Sequence, residues 1–200
     1  MDSDGYLSQL AGIFDGITVL TPSISAIIAI VLAGVLLLAS GFASASEIAF
    51  FSLSPSDRND IDERNHPSDE KISALLGDSE RLLATILITN NFVNVTIIML
   101  CNFFFMNVFI FHSPLAEFLI LTVILTFLLL LFGEIMPKIY SAQKTLAFCR
   151  FSAPGIYYLE KIFRPVATVL VRSTAFLNKH FAKKSHNISV DELSHALELT

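Results

Sequence analysis

Apolar residues along this chain come in long unbroken runs rather than in alternation with polar ones. Three runs dominate, over residues 24–42, 82–111 and 115–132. Each is near or above the roughly 20 residues that cross a bilayer as a helix. The first keeps its apolar character to about residue 53, between a helix-start signal at Thr21-Pro22-Ser23 and a stop at Ser54-Pro55. That is longer than a hydrocarbon core requires, so this helix either tilts or sets its last third, 44–53, in the inner part of a bundle. A tight turn at His112-Ser113-Pro114 joins the second run to the third, which continues to Gly133-Glu134-Ile135-Met136-Pro137-Lys138.

The polar segments between and after the runs predict further helices. Residues 54–81 hold eight carboxylates against three bases before Arg81, which suits a helix-turn element with a loop at Asn65-His66-Pro67 and a solvated charged face. From 157 to 181 the period changes. Leu159, Ile162, Phe163, Val166, Val169, Leu170, Phe176 and Leu177 recur at helical spacing, with Glu160, Lys161, Arg164, Arg172 and Lys179 between them. Such a helix lies along a membrane surface, apolar face down. Ser189-Val190-Asp191-Glu192 has capping-box spacing and predicts a helix start, and the pattern breaks off in mid-helix, which predicts a soluble cytoplasmic continuation.

Composition fits a membrane chain, with 54 % hydrophobic residues, 16 % charged residues and a mean hydropathy of +0.66. The basic residues set an orientation. None precedes Arg58 and none lies between Arg81 and Lys138; four fall in segment 54–81 and nine follow the third run. By the positive-inside rule both basic segments are cytoplasmic and the N-terminus is outside. The expectation is an all-α membrane protein with three transmembrane helices (about 24–53, 82–111 and 115–137) and a cytoplasmic juxtamembrane amphipathic belt helix. In this reading, residues 1–23 form an external leader without a basic n-region, so no cleaved signal peptide. A three-span domain covers 24–140, with its cytoplasmic loop at 54–81. Juxtamembrane helices take 141–184, and 185–200 begin a linker. Cys101 and Cys149 read as small buried apolar side chains, not a disulfide. Nothing suggests nucleic-acid binding. No P-loop, HExxH or GxSxG motif appears and no nucleophile–base pair is visible, so an enzyme is the least supported class.

The polar residues inside the spans carry the candidate chemistry, because ionisable and polar groups at membrane depth are costly. From Gly16 to Ser56 the only charged residue is Glu47; Glu134 stands at the inner end of the third span; the second carries Asn90, Asn91 and Asn94. Asn90 and Asn94 share a helix face, as do Ser44 and Glu47. At about 1.5 Å per residue, Ser44 and the two Asn residues fall at one level in the cytoplasmic half. Pro137 has no N–H for the carbonyl four residues earlier, at Gly133, so a backbone oxygen joins that layer. The set is a hydroxyl, two amides, a backbone carbonyl and nearby carboxylates, all oxygen, which suits a hard cation such as Mg²⁺ rather than zinc or copper. On the residues alone a second use stays open, in which Ser and Asn join membrane helices by hydrogen bonds.

Three of these segments together resemble a known family. Phe42-Ala43-Ser44-Ala45-Ser46-Glu47 with Ala49-Phe50-Phe51-Ser52-Leu53, Arg81-Leu82-Leu83-Ala84-Thr85 with Asn90-Asn91-Phe92-Val93-Asn94, and Gly133-Glu134-Ile135-Met136-Pro137-Lys138 resemble, in order and spacing, the signatures of the cyclin M/CorC membrane domain. The acidic, Phe-rich character also resembles a gliding-motility-associated bacterial branch. Thr89 stands where the family often has Gly. The resemblance implies a homodimeric, multi-pass Mg²⁺ transporter of the bacterial inner membrane, an exporter in many members, with Na⁺ as a coupling ion. It also implies CBS modules that bind ATP in a cytoplasmic part beyond this chain. Carried over by motif position, the ligands are Ser44, Asn90, Asn94 and the Gly133 carbonyl, with Glu134 nearby and Glu47 and Asn91 as accessory or coupling-ion residues. The alternative is a non-transporting anchor, assembly or sensor module regulated by nucleotide-binding cytoplasmic domains.

Overall fold

The computed structural model describes residues 17–111 and 113–198. Residues 1–16 of the expected leader, and His112 of the expected turn, lie outside the described residues. Among the described residues three helices are long and apolar enough to cross a membrane: Ile24–Phe51, Ser79–Val108 and Glu117–Gln143. With them, the fold is that of an all-α membrane domain.

The first span, α1 (Ile24–Phe51), starts where Ser23 caps it, its hydroxyl accepting the Ala26 N–H at 3.2 Å. It ends just before Ser54, whose side chain and that of Asp57 form a capping box for α2 (Pro55–Asp62). The two ends are therefore fixed by local capping, as the Ser-Pro signals required. After α3 (Asp69–Leu76), the second span α4 (Ser79–Val108) begins under an Asp78 cap, three residues before the apolar run. It lies along α1 over most of its length. The buried stripe of α1 is made of small residues (Ala26, Ala29, Ala33, Ser40, Ala43, Ser44), which lets the two backbones approach closely.

Two features depart from the straight three-helix expectation. The last residues of the expected second span are extended. Phe109–Phe111 forms a strand, β2, paired antiparallel with β1 (Ile17–Val19), Val19 opposite Phe109 and Ile17 opposite Phe111. The aromatic and β-branched residues suit a strand, and the pairing satisfies backbone groups where the helix ends. The third span is not a uniform α-helix. It runs as α5 (Pro114–Leu119), a π-helical turn over Ile120–Ile124, α6 (Leu125–Leu128), a second π-helical stretch over Leu129–Ile135, and α7 (Met136–Gln143). Only 12 % of its most apolar window is buried, against 33 % and 39 % for the first and second, so it leaves most of its surface to lipid or to another chain.

At the basic end, α2 and α3 fold under the spans, and α8 (Thr145–Glu198) passes across them. The backbone stays helical through Ser189-Val190-Asp191-Glu192, where the capping-box spacing suggested a fresh start. The belt-helix positions from 174 onward, including Phe176, Leu177 and Lys179, fall outside the described side chains. A compact core gathers Phe50, Leu53, Ile61, Ile72, Leu75, Leu82, Cys149 and Ile156 from five elements. Asp69, with no exposed surface, locks this core from inside. It accepts two hydrogen bonds from Arg150, from Nε at 2.8 Å and Nη2 at 3.0 Å, and one from the His66 N–H at 2.9 Å. Burial pushes the Asp69 carboxyl up, but the Arg150 and His66 hydrogen bonds outweigh it and hold the group below its ordinary value.

Candidate functional site

The polar residues of spans one and two meet midway along α1. Ser40 has no exposed surface, and its Oγ lies 2.8 Å from Asn90 Oδ1 and 2.7 Å from Asn94 Oδ1. Helix periodicity causes the meeting. Asn90 and Asn94 are one turn apart on α4, and α1 runs antiparallel to it. Ser40 lies eleven residues before Phe51 and Asn90 eleven after Ser79, so each sits about 16 Å from the basic end at about 1.5 Å per residue.

The third span closes the cluster through Gly133. A Cβ at this buried position would lie 3.1 Å from Ser40 Oγ and 3.5 Å from Leu37 Cδ1, so only glycine lets the backbone come this close. Gly41 repeats the arrangement one residue on, where a Cβ would lie 3.0 Å from Pro137 Cγ and 3.3 Å from the Phe132 carbonyl oxygen. Ser141 ties the same two spans nearer the basic end, donating to the Ala45 carbonyl at 2.6 Å.

The π-helical register changes one detail of the backbone. The Met136 N–H donates five residues back, to Leu131. In that register the amide that Pro137 lacks would have served Phe132, not Gly133 as in a straight α-helix. The Phe132 carbonyl is the one facing Gly41. π-helical bulges inside α-helices are frequent at functional sites, and this stretch spans the Gly-Glu segment itself.

The donors and acceptors in the cluster do not balance. A hydroxyl carries one proton, and Ser40 Oγ has two amide oxygens to share it between, at 2.8 and 2.7 Å. Ser44, one turn toward the basic end, is fully buried and its Oγ has no hydrogen-bond partner. Thr85 Oγ1 is buried without a partner as well, while Thr89 donates to the Thr85 carbonyl at 2.8 Å. The 2.7 and 2.8 Å separations are ordinary O–H···O hydrogen-bond lengths. Among the described residues, no three His, Cys, Asp or Glu side chains gather as metal ligands, so the donors at this level are hydroxyl and amide oxygens.

Of the residues singled out from the sequence, Asn90, Asn94 and Gly133 come together around Ser40, with Ser44 one turn away. Glu134 follows Gly133 in the chain and is half-buried, without an ion pair among the described residues. Glu47 is taken up by Lys138, at 3.1 Å, across the basic ends of the first and third spans. Asn91 lies on the exposed side of α4 and donates to its own helix, to Leu87 O at 2.9 Å. Ser40 is the residue the sequence reading missed. Its signal was the spacing Ser40–Ser44, one helical turn, which places both hydroxyls on the same face.

Two comparisons with known proteins give matches. The family model described as the cyclin M transmembrane N-terminal domain matches residues 23–200. The chain is 31 % identical over 134 residues to a UPF0053 protein of Haemophilus influenzae; the match covers 67 % of this chain and 31 % of the relative. The chain therefore spans about a third of the relative it matches.

Proposed function

Because the chain belongs to the cyclin M transmembrane-domain family, a family of the transporter type linked to Mg²⁺, we propose that it carries Mg²⁺ across the membrane through the Ser40 cluster. The observation that carries the reading is the convergence of two Asn side chains on one buried hydroxyl, with an unpartnered buried hydroxyl one turn away. A dehydrated Mg²⁺ requires several oxygens at short range, and Ser40, Ser44, Asn90 and Asn94 begin to supply them; the family resemblance adds the Gly133 carbonyl by motif position. Glu134, beside Gly133, lowers the cost of a divalent charge at this depth. Glu47 does so only after leaving Lys138, which makes that pair a candidate for the response to a coupling ion such as Na⁺.

The finer parts of the proposal rest on charge, on surface and on the family resemblance, which supplies the bacterial inner membrane, the export direction and the CBS part. Both basic segments lie at one end of the bundle, so the N-terminus is outside and the site opens from the cytoplasmic half of a bacterial inner membrane. Outward movement of the ion makes the protein an exporter. The poorly buried third span offers a surface for a homodimer, and an ATP-binding CBS part beyond the chain would regulate it. The test is Mg²⁺ flux into or out of liposomes. Asn94→Ala should reduce flux at least ten-fold while the protein still folds; flux equal to wild type would remove the site.

A second reading has its own observation. The Ser40–Asn90 and Ser40–Asn94 contacts are also hydrogen bonds that join two membrane helices, as a non-transporting anchor or sensor needs. On that reading the wild-type protein moves no Mg²⁺, and Asn94→Ala loses stability only.

A further inference from the structure

A groove runs along α1 and shares Leu37, Gly41, Phe132 and Pro137 with the contact between the first and third spans. Its deep part, about 410 Å³, lies between α1, the inner half of the third span and the start of α8, and is lined by Leu38, Phe42, Phe132 and Phe151 among others. A second hollow of about 270 Å³ continues it toward the basic end, sharing Tyr140, Phe148 and Phe151 and adding Ala147 and Lys144. The walls change character along this length. The deep part is apolar and aromatic from Leu37 to Ala45, about 12 Å of helix. Tyr140 then presents a ring with a polar tip, the kind of side chain that sits at headgroup level. Last comes Lys144, an exposed ammonium with no ion pair among the described residues. No carboxylate lines either hollow.

We propose that this groove binds one anionic phospholipid from the leaflet at the basic end, its acyl chain along Leu38, Phe42 and Phe151 and its phosphate at Lys144. The occupant follows from the walls. The groove is concave on three sides, it is apolar at membrane depth, and the single charge at its mouth is positive. The ammonium at the mouth calls for an anion, and the phosphate of a lipid whose chain lies in the apolar part supplies it. The exposure of Leu38 (76 %), Phe151 (71 %) and Tyr140 (56 %) leaves these side chains open to the acyl region. The site does not depend on the cation reading, and either can fail while the other stands.

The experiment is native mass spectrometry of the intact protein released from mixed micelles holding equal amounts of phosphatidylglycerol and phosphatidylcholine. Wild type should retain one lipid per chain with phosphatidylglycerol favoured about five-fold, the worth of one basic residue near an anionic surface. Lys144→Gln should erase that preference while some lipid stays bound. Ala147→Trp, at an exposed position at the mouth, should lower the retained lipid of both kinds. Equal retention of the two lipids by wild type, or a preference unchanged in Lys144→Gln, would overturn the proposal. So would Phe151→Cys forming a disulfide between two copies in the membrane, which would show a second chain on the groove.

Discussion

Replacing Asp69 by alanine should unfasten the basic end of the molecule. Asp69 is fully buried and is the acceptor for both Arg150 hydrogen bonds and for the His66 N–H. Removing one partner of a buried pair typically costs about 3–5 kcal/mol, because the remaining charge is left desolvated. The side chain of Arg150 keeps 23 % exposure and turns partly to water, which argues for the lower end. The lost acceptor for the His66 amide adds about 1 kcal/mol. A total of about 4 kcal/mol corresponds to a fall in melting temperature of about 8–16 °C for a chain of this size. The chain has no Trp, so intrinsic fluorescence is a poor probe. A fluorogenic maleimide is a better one, since Cys149 is buried in the same core and reacts only when that core opens. Arg150→Ala and the double variant complete a cycle. The reasoning fails if Asp69→Ala melts within about 2 °C of wild type, or if the two single effects simply add, since paired charges in contact must couple.

Three more outcomes follow from named contacts. The Asp69 carboxyl is held below its ordinary value in the folded state, so its stabilising contribution is complete above that value and is lost as pH falls through the lower, folded one. Wild type should therefore lose stability relative to Asp69→Asn below about pH 4, read as melting temperature against pH in detergent; parallel curves would refute it. Gly133→Ala places a methyl 3.1 Å from Ser40 Oγ and should cost about 1–3 kcal/mol by overpacking, with Mg²⁺ flux reduced more than in an alanine substitution at exposed Asn91. Burial pushes the Cys149 thiol up to about 12, so it should resist maleimide at pH 8 in the folded protein and react on unfolding; rapid labelling of folded protein would contradict the buried core.

The elements most legible in the sequence were those fixed by length and local capping. Ser23, Ser54-Pro55 and the Asn65-His66-Pro67 loop mark their boundaries in residue types, and the spans follow from runs that only a bilayer suits. The level shared by Asn90, Asn94 and the serines was readable because helical rise converts residue number into depth. What was not readable depends on contacts between segments distant in sequence. Ser40, not Ser44, meets the two amides because of the axial register of α1 against α4, which one turn of sliding would change. The π-helical stretch around Gly133 packs closely on Ser40 and Gly41, an approach between segments far apart in sequence. Likewise Asp69 looks like one more carboxylate in an acidic loop until Arg150, 81 residues later, folds back over it.

The central claim is that Ser40, Asn90 and Asn94 converge to hold a hard divalent cation. Crystals of the protein grown with Mn²⁺, a stand-in for Mg²⁺ with oxygen preference and an anomalous signal, test it directly. The account predicts one anomalous peak between Ser40, Asn90 and Asn94, within coordination distance of all three side-chain oxygens and beside Gly133, and its loss in Asn94→Ala. A map with no peak there, and with one Asn amide turned so that its NH₂ donates to Ser40 Oγ, would contradict the account and leave the cluster as a joint between two helices.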